Sequence, residues 1–148
     1  MPAVGGVETH AVANVKTGSD GSFSLRVRPL VRTQYTATIG DAKSNVVSVR
    51  SRPLVRLKHT GRHRFLVRAL AGRSFVGKWA SLQRWSVRKH AWISVRRVFF
   101  RGVIAKVPPT LTSRAPFRTR VAGKIRVVMP RSQTRPGYIA GFSNSVHA

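Results

Sequence analysis

The side chains able to do chemistry in this chain are overwhelmingly cations. Of its 148 residues, 28 are Lys or Arg and 3 are Asp or Glu, a formal net charge of +25. The candidate binding set is Arg64, Arg68, Lys78, Arg84, Arg88, Lys89, Arg96, Arg97, Arg118, Arg120, Lys124 and Arg126. A guanidinium is a flat fork of N–H donors that grips phosphate or carboxylate oxygens two at a time. Such a set reads as a surface for polyanions: nucleic acid, anionic lipid or acidic cell-wall polymer. Contacts of this kind ignore base sequence and weaken as salt rises. The competing account is compositional. Outward strand positions must be polar, and the excess of Arg over Lys is what a GC-rich genome supplies. On that account the neighbours Arg96 and Arg97 are simply solvated.

Other chemistry is sparse. The carboxylates are Glu8, Asp20 and Asp41, all early in the chain. Asp20 precedes Gly21 and Asp41 follows Gly40, so turns explain both. A carboxylate pair for glycoside cleavage is not expected. His59-Thr-Gly-Arg-His63 has a helical metal-ligand spacing, but Gly61 makes it a turn. Gly141-Phe-Ser-Asn-Ser145 lacks the second glycine of a nucleophile elbow. No Gly-rich phosphate loop occurs. Cysteine is absent, which excludes disulfides and thiolate metal sites. Catalytic residues, metals and cofactors are therefore all expected to be none, and the chain is not expected to be an enzyme.

The elements that must carry these cations are strands. Phe23, Leu25 and Val27 alternate with polar residues, as do Phe65, Val67 and Ala69, then Phe117, Thr119 and Val121, then Ile125, Val127 and Met129. Period two with β-branched and aromatic enrichment is the mark of antiparallel strands. Asp20-Gly21 predicts a hairpin joining residues 12–17 to 23–27. Gly40-Asp41, Thr60-Gly61 and Pro136-Gly137 are further breaks. Pro108-Pro109 opens an irregular stretch through Arg114. Residues 79–87 are helix-compatible but read better as strand. Phe65, Val67, Leu82, Val95, Val98, Val127 and Val146 are expected to point inward. Trp79, Trp85 and Trp92 are expected to pack between sheets, an exposed ligand platform being the other reading.

An internal repeat is visible. Phe23-Ser-Leu-Arg-Val27 resembles Phe117-Arg-Thr-Arg-Val121. Ser44-Asn45-Val46 resembles Ser143-Asn144-Ser145-Val146, and residues 35–39 stand where 125–129 stand. The separation is about one small β domain. Residues 1–51 therefore read as the C-terminal half of a repeat, and 52–148 as a complete domain, joined at Arg52-Pro53. Residues 11–50 should make three or four strands that cannot bury both faces of a sandwich.

The complete unit runs through Leu54-Val-Arg-Leu57, Ser74-Phe-Val-Gly-Lys-Trp-Ala-Ser-Leu-Gln-Arg-Trp85, Ala91-Trp-Ile-Ser-Val-Arg-Arg-Val98 and Pro136-Gly-Tyr-Ile-Ala-Gly-Phe-Ser-Asn144. This resembles the tandem Ig-like β-sandwich repeats of secreted and surface proteins from high-GC Gram-positive bacteria. The resemblance implies an all-β, antiparallel Ig-like sandwich, one complete domain preceded by a partial one. It further implies a structural or adhesive module of a bacterial secreted or cell-surface protein, with no catalytic residues. Expected partners are anionic cell-wall polymers or nucleic acid, held without sequence preference, with neighbouring repeats or a second copy also possible. The alternative is a small basic nucleic-acid-binding protein of ribosome-associated type, and a cytoplasmic one. The first residues lack the basic and apolar regions of a signal peptide. No apolar run approaches the roughly 20 residues of a membrane span.

Overall fold

The computed structural model describes residues 10–148; Glu8 and the Met1-Pro-Ala-Val-Gly-Gly segment lie outside the described residues. These residues form an all-β fold of antiparallel sheets with one short helix among them. Residues 53–148 form two sheets around a common core. The first has four strands, β5 (Leu54–Gly61), β6 (Arg64–Ala71), β9 (Gly102–Val107) and β10 (Thr110–Arg118), in the order β5-β6-β10-β9. The second holds β7 (Trp79–Ser86), β8 (Ala91–Phe99), β11 (Lys124–Met129) and β12 (Gly141–Phe142), in the order β12-β11-β7-β8, with β13 (Val146–His147) also pairing with β11. The helix α1 (Arg131–Thr134) follows β11.

Alternation decides which residues fill the core. Val55 and Leu57 from β5, Phe65, Val67 and Ala69 from β6, and Ala115 and Phe117 from β10 face Ala80, Leu82, Val98, Ile125, Val127 and Met129 of the other sheet. Phe75, Phe100 and Tyr138 close one end, with Phe75 edge-on to Tyr138 at 6.0 Å. The buried hydroxyl of Ser113 accepts the backbone N–H of Phe75 at 2.8 Å and so satisfies the β6–β7 loop. Arg73 ties that loop to the other sheet's connection. Its Nη2 donates to the Thr134 carbonyl at 2.6 Å, while its guanidinium lies over Phe75 and Tyr138.

Of the seven residues expected inside, Phe65, Val67, Leu82, Val98 and Val127 are buried and Val146 is partly buried against the core. Val95 is not; it is 39 % exposed. Val95 stands three residues from the buried Val98, so alternation already sets the two on opposite faces, and a β-bulge falls at the same point. Leu82 pairs with Arg96 but Gln83 pairs with Ser94, so Val95 is an extra residue and the alternation of β8 inverts there. Two other expectations change. Residues 110–114 are not irregular: Pro108-Pro109 forms the turn of a hairpin, and Thr110 begins β10. Pro116 is accommodated in β10 because β9 pairs only as far as Arg114, so no ladder bond is demanded of it on that side. At Asp20-Gly21 a turn does form, with the Gly18 N–H donating to the Ser22 carbonyl at 2.7 Å, but residues 12–17 and 23–27 make no strands beside it.

Ahead of the two sheets lie four short strands: β1 (Thr33–Tyr35), β2 (Thr38–Ile39), β3 (Ala42–Lys43) and β4 (Val47–Val49). β1 pairs with β4, and β2 with β3 around Gly40-Asp41. Gly40 adopts φ 56°, which glycine accepts without strain. No residue from 10 to 50 is buried. This segment rests on the loop after α1, where the Arg32 N–H donates to the Gly137 carbonyl and the Ile139 N–H to the Ser51 carbonyl.

Candidate polyanion-binding face

Register turns the period-two arginines into rows. On the outer face of the four-stranded sheet, Arg56 pairs with Arg68 and Arg68 with Arg114. Three guanidinium-bearing residues thus stand directly opposite one another on adjacent strands. At about 4.8 Å between strands the row spans about 10 Å. Four residues along β6, about 13 Å away, Arg64 pairs with Arg118. Lys58 lies between the rows, beside Leu66 and Pro116. All six cations are exposed.

Like charges directly opposite on neighbouring strands destabilise a sheet. Native sheets relieve this with carboxylates at adjacent positions, but residues 42–148 contain no Asp or Glu. The repulsion is therefore uncompensated within these sheets. It is relieved only by the reach of the long side chains into water or by an anion from outside. Phosphate, sulfate and carboxylate groups match the guanidinium fork. The face has no Trp, Phe or Tyr, so it offers grip without base stacking.

The outer face of the other sheet is built differently. Trp79, Trp85 and Trp92 lie there, not between the sheets. The core side of β7 is taken by Ala80 and Leu82, which leaves Trp79 and Trp85 on the opposite side, and the bulge at Val95 turns Trp92 outward. Trp85 and Trp92 meet edge to face at 5.5 Å. The Arg126 guanidinium stacks 4.4 Å from the Trp92 ring centre and 5.4 Å from that of Phe142, and its Nε donates to Gln83 Oε1 at 2.9 Å. Burial lowers the pKa of Arg126 from the usual arginine value, though it remains a cation at neutral pH. Arg97 stacks 4.2 Å above Trp79. Between these clusters runs a shallow groove of about 430 Å³, floored by Ser81, Gln83, Ser94 and Val128.

The twelve residues singled out from the sequence do not form one surface. Arg64, Arg68 and Arg118 belong to the arginine rows. Arg97, Lys124 and Arg126 lie on the tryptophan face. Arg96 sits at the rim between the sheets, over the Phe117 ring and donating to the Arg118 carbonyl. Neither Arg96 nor Arg97 is merely solvated. Lys78, Arg88, Lys89 and Arg120 occupy loops, and Arg84 lies within β7, paired with Ile93 and Ile125. The twelve-residue set leaves out Arg56 and Arg114, which complete the first row, and Lys58, which stands between the rows. The signal for Arg56 and Lys58 was present: Leu54-Val-Arg-Leu-Lys58 carries the same alternation as β6. Among the described residues, no three His, Asp or Glu side chains gather as a metal site, and no helix is long and apolar enough to cross a membrane. No family model, curated protein or solved structure matches the chain.

Proposed function

We propose that this chain is a structural or adhesive Ig-like module of a bacterial secreted or cell-surface protein, and that it holds anionic polymers on the outer face of its four-stranded sheet. The Ig-like reading is supported by strand order. Lettered in chain sequence, β5 to β12 become A, B, C, C′, D, E, F and G. The sheets are then A-B-E-D and G-F-C-C′, the arrangement of Ig-type sandwiches. The binding reading is carried by one observation: Arg56, Arg68 and Arg114 stand in register in a pair of sheets whose residues include no Asp or Glu.

The test is a salt titration of binding to two unrelated DNA duplexes and one purified teichoic acid. The expected result is similar affinity for all three, falling linearly in log–log form at roughly 0.7 to 0.9 per phosphate contact. Absence of binding at low salt would overturn the reading. A preference for one DNA sequence that survives high salt would replace it with the nucleic-acid-binding alternative. One feature favours that alternative, the tryptophans on the opposite face, since bases stack on exposed aromatic rings.

A further inference from the structure

The four short strands ahead of the two sheets reproduce the last hairpin of the complete unit, pair for pair. Tyr35 faces Val47 as Ile125 faces Val146. Gln34 faces Ser48 as Lys124 faces His147. Thr38 faces Lys43 as Val128 faces Phe142, and Ile39 faces Ala42 as Met129 faces Gly141. The separation is 90 residues for every member of the first strand and 99 for every member of the second. The difference is the extra length of loop 130–140 over the Gly40-Asp41 turn.

Side chains repeat too. The Ala37 N–H donates to Ser44 Oγ at 2.9 Å, that hydroxyl donates to the Asn45 carbonyl at 2.9 Å, and the Ser44 N–H donates to the Ala37 carbonyl at 2.9 Å. In the complete unit the Val127 N–H donates to Ser143 Oγ at 2.8 Å, the hydroxyl donates to the Asn144 carbonyl at 2.7 Å, and the Ser143 N–H donates to the Val127 carbonyl at 2.9 Å. Neither set is a generic hairpin pattern, because each needs the Ser at one position of the ladder.

What differs is the cover. Ile125, Val127 and Met129 are fully buried, and β7 occupies the outer edge of β11. Their counterparts Tyr35 and Ala37 are half-exposed, and Ile39 is 66 % exposed. Phe117 stacks on Phe65 at 5.4 Å, whereas its counterpart Phe23 is 49 % exposed. The side-chain amide of Asn144 clamps β5, accepting the Leu57 N–H and donating to the Leu57 carbonyl, each at 2.9 Å. Asn45 holds the same backbone position and is exposed.

We propose that residues 23–50 are a docking surface for the complementary strands of another module of this type, those equivalent to β5 through β10. The occupant is specified in detail. It presents a β5-like backbone N–H and carbonyl to Asn45, a Phe65-like ring to Phe23, and a β7-like strand to the open edge of residues 35–39, as in strand addition. This assignment is independent of any polyanion binding by the arginine rows.

The test inserts a copy of residues 54–116 between Ser22 and Phe23 of the full chain. A second version also carries Tyr35→Ile, Ala37→Val and Ile39→Met, so that the docking face matches the core the copy normally meets. Amide exchange at residues 35, 37, 39 and 47 is read by NMR. The expected result is slowing by roughly 100-fold or more relative to the 148-residue chain, the scale of cooperative burial over local fraying. Asn45→Ala should undo most of that protection in the extended chain and change nothing in the 148-residue chain. Unchanged exchange in both extended versions would overturn the proposal. So would protection in the 148-residue chain that grows with its own concentration, since that assigns the face to a second copy.

Discussion

The two outer faces of the sandwich use one residue type in opposite ways. On the four-stranded sheet, Arg56, Arg68 and Arg114 face each other across the strands, with leucine and proline rows beside them. On the five-stranded sheet, Arg97 and Arg126 each lie on a tryptophan ring, and Arg126 also donates to Gln83. A guanidinium on an indole face contributes about 0.5–2 kcal/mol. A cation opposite a cation costs a few tenths of a kcal/mol or more. One face therefore uses arginine as part of the fold, and the other maintains it at the expense of the fold. An uncompensated charge row is worth keeping where something else neutralises it, which is why the binding reading rests on the first face and not on net charge.

Replacing Arg56, Arg68 and Arg114 together by Gln is the change expected to separate the faces most. Polyanion affinity at low salt should fall by roughly 100-fold, and the log–log salt slope should drop by about 2 to 3, one phosphate contact per arginine. Arg97→Gln with Arg126→Gln should change affinity only a few-fold. Equal losses in a salt titration would erase the distinction.

Stability should move in the reverse sense. Trp92→Ala removes the ring that meets both Trp85 and Arg126, and should cost about 1–3 kcal/mol in urea unfolding. Arg68→Thr removes the middle of the row and adds a good strand former. It should raise stability by about 0.5 kcal/mol. A loss from Arg68→Thr larger than that from Arg126→Ala would show that the row is held by contacts and not opposed by charge.

Salt offers a smaller readout. Screening at 0.15 M limits the repulsion between exposed charges to a range of about 8 Å, so the unfolding midpoint should rise between 10 mM and 0.15 M NaCl. The Arg56/Arg68/Arg114 Gln variant should show a flatter rise. The smallest effect concerns acid. Asp20 has its pKa lowered by the Ser22 hydroxyl and backbone N–H. Its folded pKa lies below the unfolded one, so the turn is favoured above the ordinary aspartate pKa and that preference is lost as pH falls through the folded pKa. NMR should show residues 18–22 loosening under acid, while the two sheets, which contain no carboxylate side chain, stay folded.

Much of this was legible beforehand. Phe65, Val67 and Ala69 in β6, and Ile125, Val127 and Met129 in β11, take the inward positions that their alternation demands. Both strands run without a bulge against their central partners, so local parity and final facing agree. The duplicated Ser-Asn sequence located two hairpins that match in register. The site was less legible. Abundance along the sequence does not group the candidate cations, and five of the twelve lie in loops or on the rim.

Sequence alone determined that the chain is strand-rich, where its breaks fall and that residues 42–148 hold no carboxylate. These follow from propensity and i to i+2 alternation, which act over a few neighbours. The tertiary structure decided which face each strand shows. The bulge at Val95 inverts β8 because Leu82 and Gln83 of the partner strand skip one residue, and nothing within residues 91–99 encodes that skip. It also decided that Arg56, Arg68 and Arg114 form a row. Register couples residues 12 and 46 positions apart, and only strand pairing brings them together.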